Sequence, residues 1–102
     1  MVTLSAAVAA AAAELPGVIR REHAETIEYE LNDRPIAIVE VVADEVSFRL
    51  SPAVAAAAIR TPDTEPSPRG PEWVALRPAV VDDHALDRAV AWLESAWRNA
   101  GG

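Results

Sequence analysis

Between Thr26 and Leu50 three β-type blocks follow one another with only turn-forming residues between them. That run constrains the fold of this 102-residue chain more than any other feature. In Thr26-Ile-Glu-Tyr-Glu-Leu31, Ile27, Tyr29 and Leu31 share one side while Glu28 and Glu30 share the other, the pattern of a strand with one buried and one wet face. Asn32-Asp33-Arg34-Pro35 reads as a turn, because asparagine and aspartate tolerate a left-handed backbone. Pro35 to Val42 is rich in β-branched residues and almost wholly apolar, which predicts a central strand covered on both faces. Ala43-Asp44-Glu45 turns again, and Val46-Ser-Phe-Arg-Leu50 alternates. Three consecutive strands joined by turns of three or four residues form an antiparallel meander. Val18 to His23 offers a further short strand before it.

Helical signals flank this block. Thr3 can cap a first turn, the alanine run from Ala6 to Ala13 has the best helix propensity available, and Pro16-Gly17 stops it. Leu4, Val8, Ala11 or Ala12, and Leu15 form its apolar stripe. A secretory leader would carry a positively charged start, which this run lacks, and no stretch reaches the roughly 20 apolar residues of a membrane span. The chain is therefore read as a cytoplasmic, non-membrane protein. Ser51-Pro52 supplies a cap and a first-turn proline for a short helix reaching about Arg60. Four of the eight prolines then fall between Arg60 and Pro71, which predicts an irregular loop. Glu72 to Arg77 gives one more strand, with Trp73, Ala75 and Arg77 opposite Val74 and Leu76. Asp82 or Asp83 opens a last helix, on which Leu86, Ala89, Val90, Leu93 and Trp97 form a stripe. The order predicts one α+β domain over residues 1–102: an antiparallel sheet of four to five strands with the N- and C-terminal helices packed on one face.

Charge narrows the function classes. The net charge is −7, every base is arginine, and there is no cysteine, so disulfides, thiolate metal sites and cysteine nucleophiles are excluded. Glu14 to Glu45 holds nine acids and three arginines, whereas Val46 to Gly102 holds seven acids and six arginines. A polyanion such as nucleic acid would have to meet the second half. There Arg49, Arg60, Arg69 and Arg77, with Trp73, form the candidate surface for an anionic ligand, since arginine grips phosphate and an indole stacks on a base. The acidic group Glu22, Glu25, Glu28 and Glu30 has the hard oxygens a cation needs, and the same group also serves as a wet, solubilising strand face. Trp92 and Trp97 lie five apart, so they cannot both centre one helical face, and one of them reads as the margin of a partner surface. His23 and His84 stand near element ends with no second histidine at metal-ligand spacing. The four glycines build no phosphate loop and the serines no Gly-x-Ser-x-Gly elbow, so the chain is read as non-enzymatic and cofactor-free.

The element order carries more specific marks. Leu15-Pro-Gly-Val18 closes the first helix, and Trp73-Val-Ala-Leu-Arg77 precedes an Asp-Asp-opened helix holding Ala96-Trp97-Arg98. Over residues 3–99 the chain resembles the MmcQ/YjbR-like family, small bacterial domains that carry a DNA-binding label. The resemblance implies a frataxin-like (CyaY-like) α+β sandwich, and through that fold weak iron binding on an acidic ridge. It also implies nucleic-acid contact in a basic, histidine-containing stretch just before the tryptophan. Here that stretch is Ser67 to Trp73, with Arg69 its one base and Glu72 in place of a positive neighbour. The expectation that follows is a binding domain, monomeric or weakly homodimeric, whose partner is a protein or an anionic ligand.

Overall fold

A computed structural model describes residues 2–102. Helix α1 (Leu4–Ala13) is capped as the sequence requires, the Thr3 hydroxyl oxygen accepting from the Ala6 N–H at 3.0 Å. Leu4, Val8 and Ala12 are its buried stripe. Strands β1 (Ile19–Glu22), β2 (Thr26–Leu31), β3 (Arg34–Glu40) and β4 (Glu45–Arg49) form the meander. Helix α2 (Pro52–Ala58), β5 (Thr64–Pro66), β6 (Trp73–Leu76) and α3 (Asp83–Asn99) complete the chain. The fold is α+β, with a six-stranded, wholly antiparallel sheet in the order β1-β2-β3-β4-β6-β5.

The core lies between one sheet face and the two long helices. Ile27, Tyr29, Val39, Val46, Phe48, Val74 and Leu76 meet Leu4, Val8 and Ala12 from α1 and Ala89, Leu93 and Ala96 from α3. The alanines on both helices let α1 and α3 pack side by side on the same face. The C-terminus of α3 is tied down twice: Trp97 Nε1 donates to the Pro16 carbonyl at 3.0 Å, and Asn32 Nδ2 donates to the Ala100 carbonyl at 3.1 Å.

Four details differ from the expected pattern. The sheet has six strands rather than four to five, because β5 lies inside the proline-rich segment expected to be irregular. A strand survives there because β5 is three residues at the sheet edge, with Pro66 at its end, where a missing N–H is tolerated. Strand β3 stops at Glu40, and Val41 and Val42 fall in the turn rather than in a covered strand. Val42 is 83% exposed. Finally, the β2–β3 turn is tighter than expected: Asn32 and Asp33 both take positive φ (54° and 63°), the two-residue hairpin geometry these residue types favour. The register then slips between Tyr29 and Glu30, leaving Ile36 as the extra residue of a bulge beside Pro35, which has no N–H to donate.

Candidate functional site

With α1 and α3 on one side, the opposite sheet face carries no helix. Strand alternation assigns to it Glu28 and Glu30 of β2, Ile38 and Glu40 of β3, Glu45, Ser47 and Arg49 of β4, Trp73 and Ala75 of β6, and Glu65 of β5. Ile38, Ser47 and Ala75 stand in one cross-strand row and are nevertheless buried. They form a low floor beneath taller charged neighbours. Beside this floor the segment Ser67-Pro68-Arg69 closes a recess of about 240 Å³ with Glu40, Glu45 and Ser47. The Ser67 hydroxyl accepts from the Arg69 N–H at 3.3 Å and the Ser67 N–H donates to the Trp73 carbonyl at 2.9 Å, which holds that segment against the sheet.

The rim is electrostatically frustrated. Glu28 and Glu30 are successive outward residues of β2, and Glu40 stands directly opposite Glu45 in the β3–β4 ladder. Hydrogen bonding to Glu30, then burial, then the charge of Glu30 raise the Glu28 carboxyl above its usual range. Glu30 is held lower by that same hydrogen bond and by Arg21, whose Nε lies 3.0 Å from a Glu30 oxygen. Glu45 is raised by its hydrogen bond to Glu40, by burial and by the Glu40 charge. A carboxyl raised in the folded state favours folding where it is protonated, and that contribution is lost as pH rises through the raised value. Glu30 works the other way, its contribution being lost only as pH falls through its lowered value. Stability is therefore expected to increase from pH 7 towards about pH 5 and to fall again in stronger acid. Glu45→Gln should add about 0.2–1 kcal/mol at pH 7 and flatten that acid-side gain. Urea midpoints of both proteins at the two pH values check this, and an unchanged wild-type midpoint would contradict it.

The sequence-predicted residues are distributed unevenly over this scaffold. Arg49 is opposite Trp73 in the ladder and its Nε is 3.1 Å from a Glu72 oxygen, so this guanidinium is already paired. Arg69 lies at the recess with Glu40 and Glu45. Arg77 follows β6, lines a surface hollow with Asp63 and Glu65, and its charge reaches Glu45. Arg60 stands in the turn after α2 and not in the sheet, so the four arginines do not share one surface. Trp73 is half-buried and lines an open hollow with Ile59, Pro66 and Pro71. On α3, Trp92 and Trp97 are both half-buried against the core, and the Trp97 bond to Pro16 gives that indole a structural task.

The acidic set divides as well. Glu28 and Glu30 face outward from β2, whereas Glu22 pairs with Ile27 on the helix-covered side and is bonded by Arg20 at 2.8 Å. Glu25 lies in the β1–β2 turn. Among the described residues no group of three or more histidine, aspartate or glutamate side chains is arranged to hold a metal ion. His23 and His84 are exposed and far apart in the fold's element order.

Two features that sequence pattern does not report matter here, the contacts of Arg88 and the hydroxyl of Tyr29. Arg88 of α3 donates to Thr61 Oγ1 at 3.2 Å, to Thr64 Oγ1 at 3.1 Å and to the Pro62 carbonyl, clamping the α2–β5 loop. Tyr29 is 1% exposed, and its hydroxyl is buried with no hydrogen-bond partner. No signal in one sequence reports either, since both depend on which distant segments meet. No helix among the described residues is long and apolar enough to cross a membrane. Comparison with protein-family models, curated proteins and solved structures finds no match to this chain.

Proposed function

We propose that this chain is a non-enzymatic, cytoplasmic binding domain of the MmcQ/YjbR-like type, and that it receives a positively charged segment of a partner protein on its helix-free sheet face. The observation that carries the reading is the floor of Ile38, Ser47 and Ala75, sunk within a rim that sets Glu28 beside Glu30 and Glu40 opposite Glu45, pairs whose hydrogen bonding and repulsion raise Glu28 and Glu45 even with Arg21 and Arg77 nearby. A guanidinium or ammonium group placed between such carboxyls relieves their repulsion, and the floor accepts the stem that carries it. The family resemblance rests on the element order and on the Trp73 and Trp97 motifs of the sequence.

Nucleic acid is the competing occupant, supported by Arg49, Arg69 and Arg77 lying on or beside the same face as Trp73. Its phosphates would also meet Glu28, Glu30, Glu40, Glu45 and Glu65 there, and Arg49 is neutralised by Glu72. An NMR titration at about 50 mM salt separates the two, with a short arginine-rich peptide in one arm and a short DNA duplex in the other. The expected result is saturable, salt-sensitive shifts at Glu28, Ile38, Ser47 and Ala75 with the peptide and none with the duplex. Shifts at Arg49, Arg69 and Arg77 with the duplex alone would replace this reading by the nucleic-acid one.

A further inference from the structure

Strand β1 is a free edge of the sheet, and all four of its residues, Ile19-Arg-Arg-Glu22, are exposed. The other edge, β5, has three residues and ends in Pro66, so it offers little to pair with. The hydrogen-bonding parity of β1 follows from its pairing with β2. The His23 N–H donates to the Thr26 carbonyl at 2.8 Å, and in an antiparallel ladder such bonded positions recur at every second residue. Ile19 and Arg21 therefore direct their backbone groups to β2, while the N–H and C=O of Arg20 and Glu22 point outward from the sheet. We propose that this edge recognises a second copy of the same chain. Two β1 strands pair antiparallel about a two-fold axis at Arg21, and two six-stranded sheets become one.

Parity and charge together select that register. Two such edges form backbone bonds only when outward-facing residues stand opposite one another, which sets Arg20 against Arg20, Glu22 against Glu22, or Arg20 against Glu22. The first two place like charges face to face and are destabilising. The third places opposite charges face to face on both sides of the axis, with a reciprocal pair of backbone bonds at each contact. Arg20 and Glu22 already meet within one copy at 2.8 Å, and with side chains 45% and 68% exposed each can turn to a partner without leaving a buried site. On the opposite face Arg21 adjoins the second copy's Arg21, but each is held by its own Glu30 at 3.0 Å, so two ion pairs meet rather than two bare cations. Ile19, half-exposed in one copy, then falls opposite His23 of the second. With the axis normal to the sheet, both α1 helices lie on one side of it. The α1 residues that border Arg20 are Ala9, Ala12 and Ala13, whose methyl groups leave the second copy room. The contact is small and weak, and it closes at two copies because the axis uses both β1 edges.

Sedimentation equilibrium of the whole chain, from about 10 µM to about 1 mM, is expected to pass from the 10.9 kDa monomer towards twice that mass. Arg20→Glu and Glu22→Arg should each remain monomeric alone, because each sets like charges face to face across the axis. An equimolar mixture of the two should associate again, at least about tenfold more tightly than either alone, since the acidic edge of the first meets the basic edge of the second. Both positions are exposed, so the substitutions leave the core untouched, and recovery in the mixture cannot come from misfolded chains. Amide exchange reads the register: as concentration rises the Arg20 and Glu22 amides should slow, while the Arg21 amide, bonded to β2 in either state, should change far less. A 10.9 kDa species at every concentration would overturn the proposal. So would a dimer that neither substitution weakens, a mixture no tighter than its components, or association that leaves the Arg20 and Glu22 amides unchanged.

Discussion

Replacing Phe48 by alanine is expected to lower the stability of the domain by about 3–5 kcal/mol, the range for removing a wholly buried aromatic side chain. Phe48 is completely buried in β4, and its ladder partners on the two sides are Ala37 and Val74. Neither neighbour is large enough to expand into the space a phenyl ring leaves. From above, α3 presents Ala89, Leu93 and Ala96, again mostly methyl-sized groups, so the cavity would persist rather than collapse. Because a domain of this size has only about 5–15 kcal/mol in total, the variant should lose much of its margin. A urea titration reads it as a lower midpoint with an unchanged slope. Val42→Ala is the matched control: the residue is 83% exposed in the β3–β4 turn, and its truncation should leave the midpoint where it is. A cost below about 1 kcal/mol for Phe48→Ala would mean that the helices close over the gap and that the core is not held apart by this ring.

What could be read from the sequence was what short-range chemistry decides. The bounds of β2 are those its alternation predicts, because a strand wet on one side writes its register into every residue. The start of α2 follows from Ser51-Pro52, whose hydroxyl accepts from the Val54 N–H, and α3 starts where Asp82 can accept from the Ala85 N–H at 2.9 Å. The end of β3 was not legible, since Val41 and Val42 have strand propensity and only the positive φ of Asp44 two residues later reverses the chain. Nor was β5: Thr64-Glu-Pro66 has no strand pattern, and its pairing with β6 comes from meeting Val74 to Leu76. The site follows the same rule. Alternation put Glu28 and Glu30 on the outward face, but the opposition of Glu40 to Glu45 depends on a four-residue turn. Trp97 reads as part of the apolar stripe of its helix, but the bond its indole donates to the Pro16 carbonyl, 81 positions away, is not written in that pattern.

Tyr29→Phe is expected to have the opposite sign from Phe48→Ala: in the absence of any added ligand it should raise stability, by about 1–3 kcal/mol. The ring of Tyr29 is part of the same core and is kept by the substitution, so packing with Ala37 and the α1 stripe is preserved. Only the hydroxyl goes, and that hydroxyl is desolvated without a bond in return. Leaving a buried donor unmade costs its full desolvation, which is why its removal stabilises. For a domain near 100 residues each kcal/mol moves the melting temperature by about 4–8 °C, so the change is readily seen by thermal unfolding. A Tyr29→Phe protein less stable than the parent would mean that the phenol is satisfied in the folded chain. If the gain appears, the parent chain carries a buried hydroxyl that weakens its own fold, as the equally unpartnered Trp92 Nε1 does on α3.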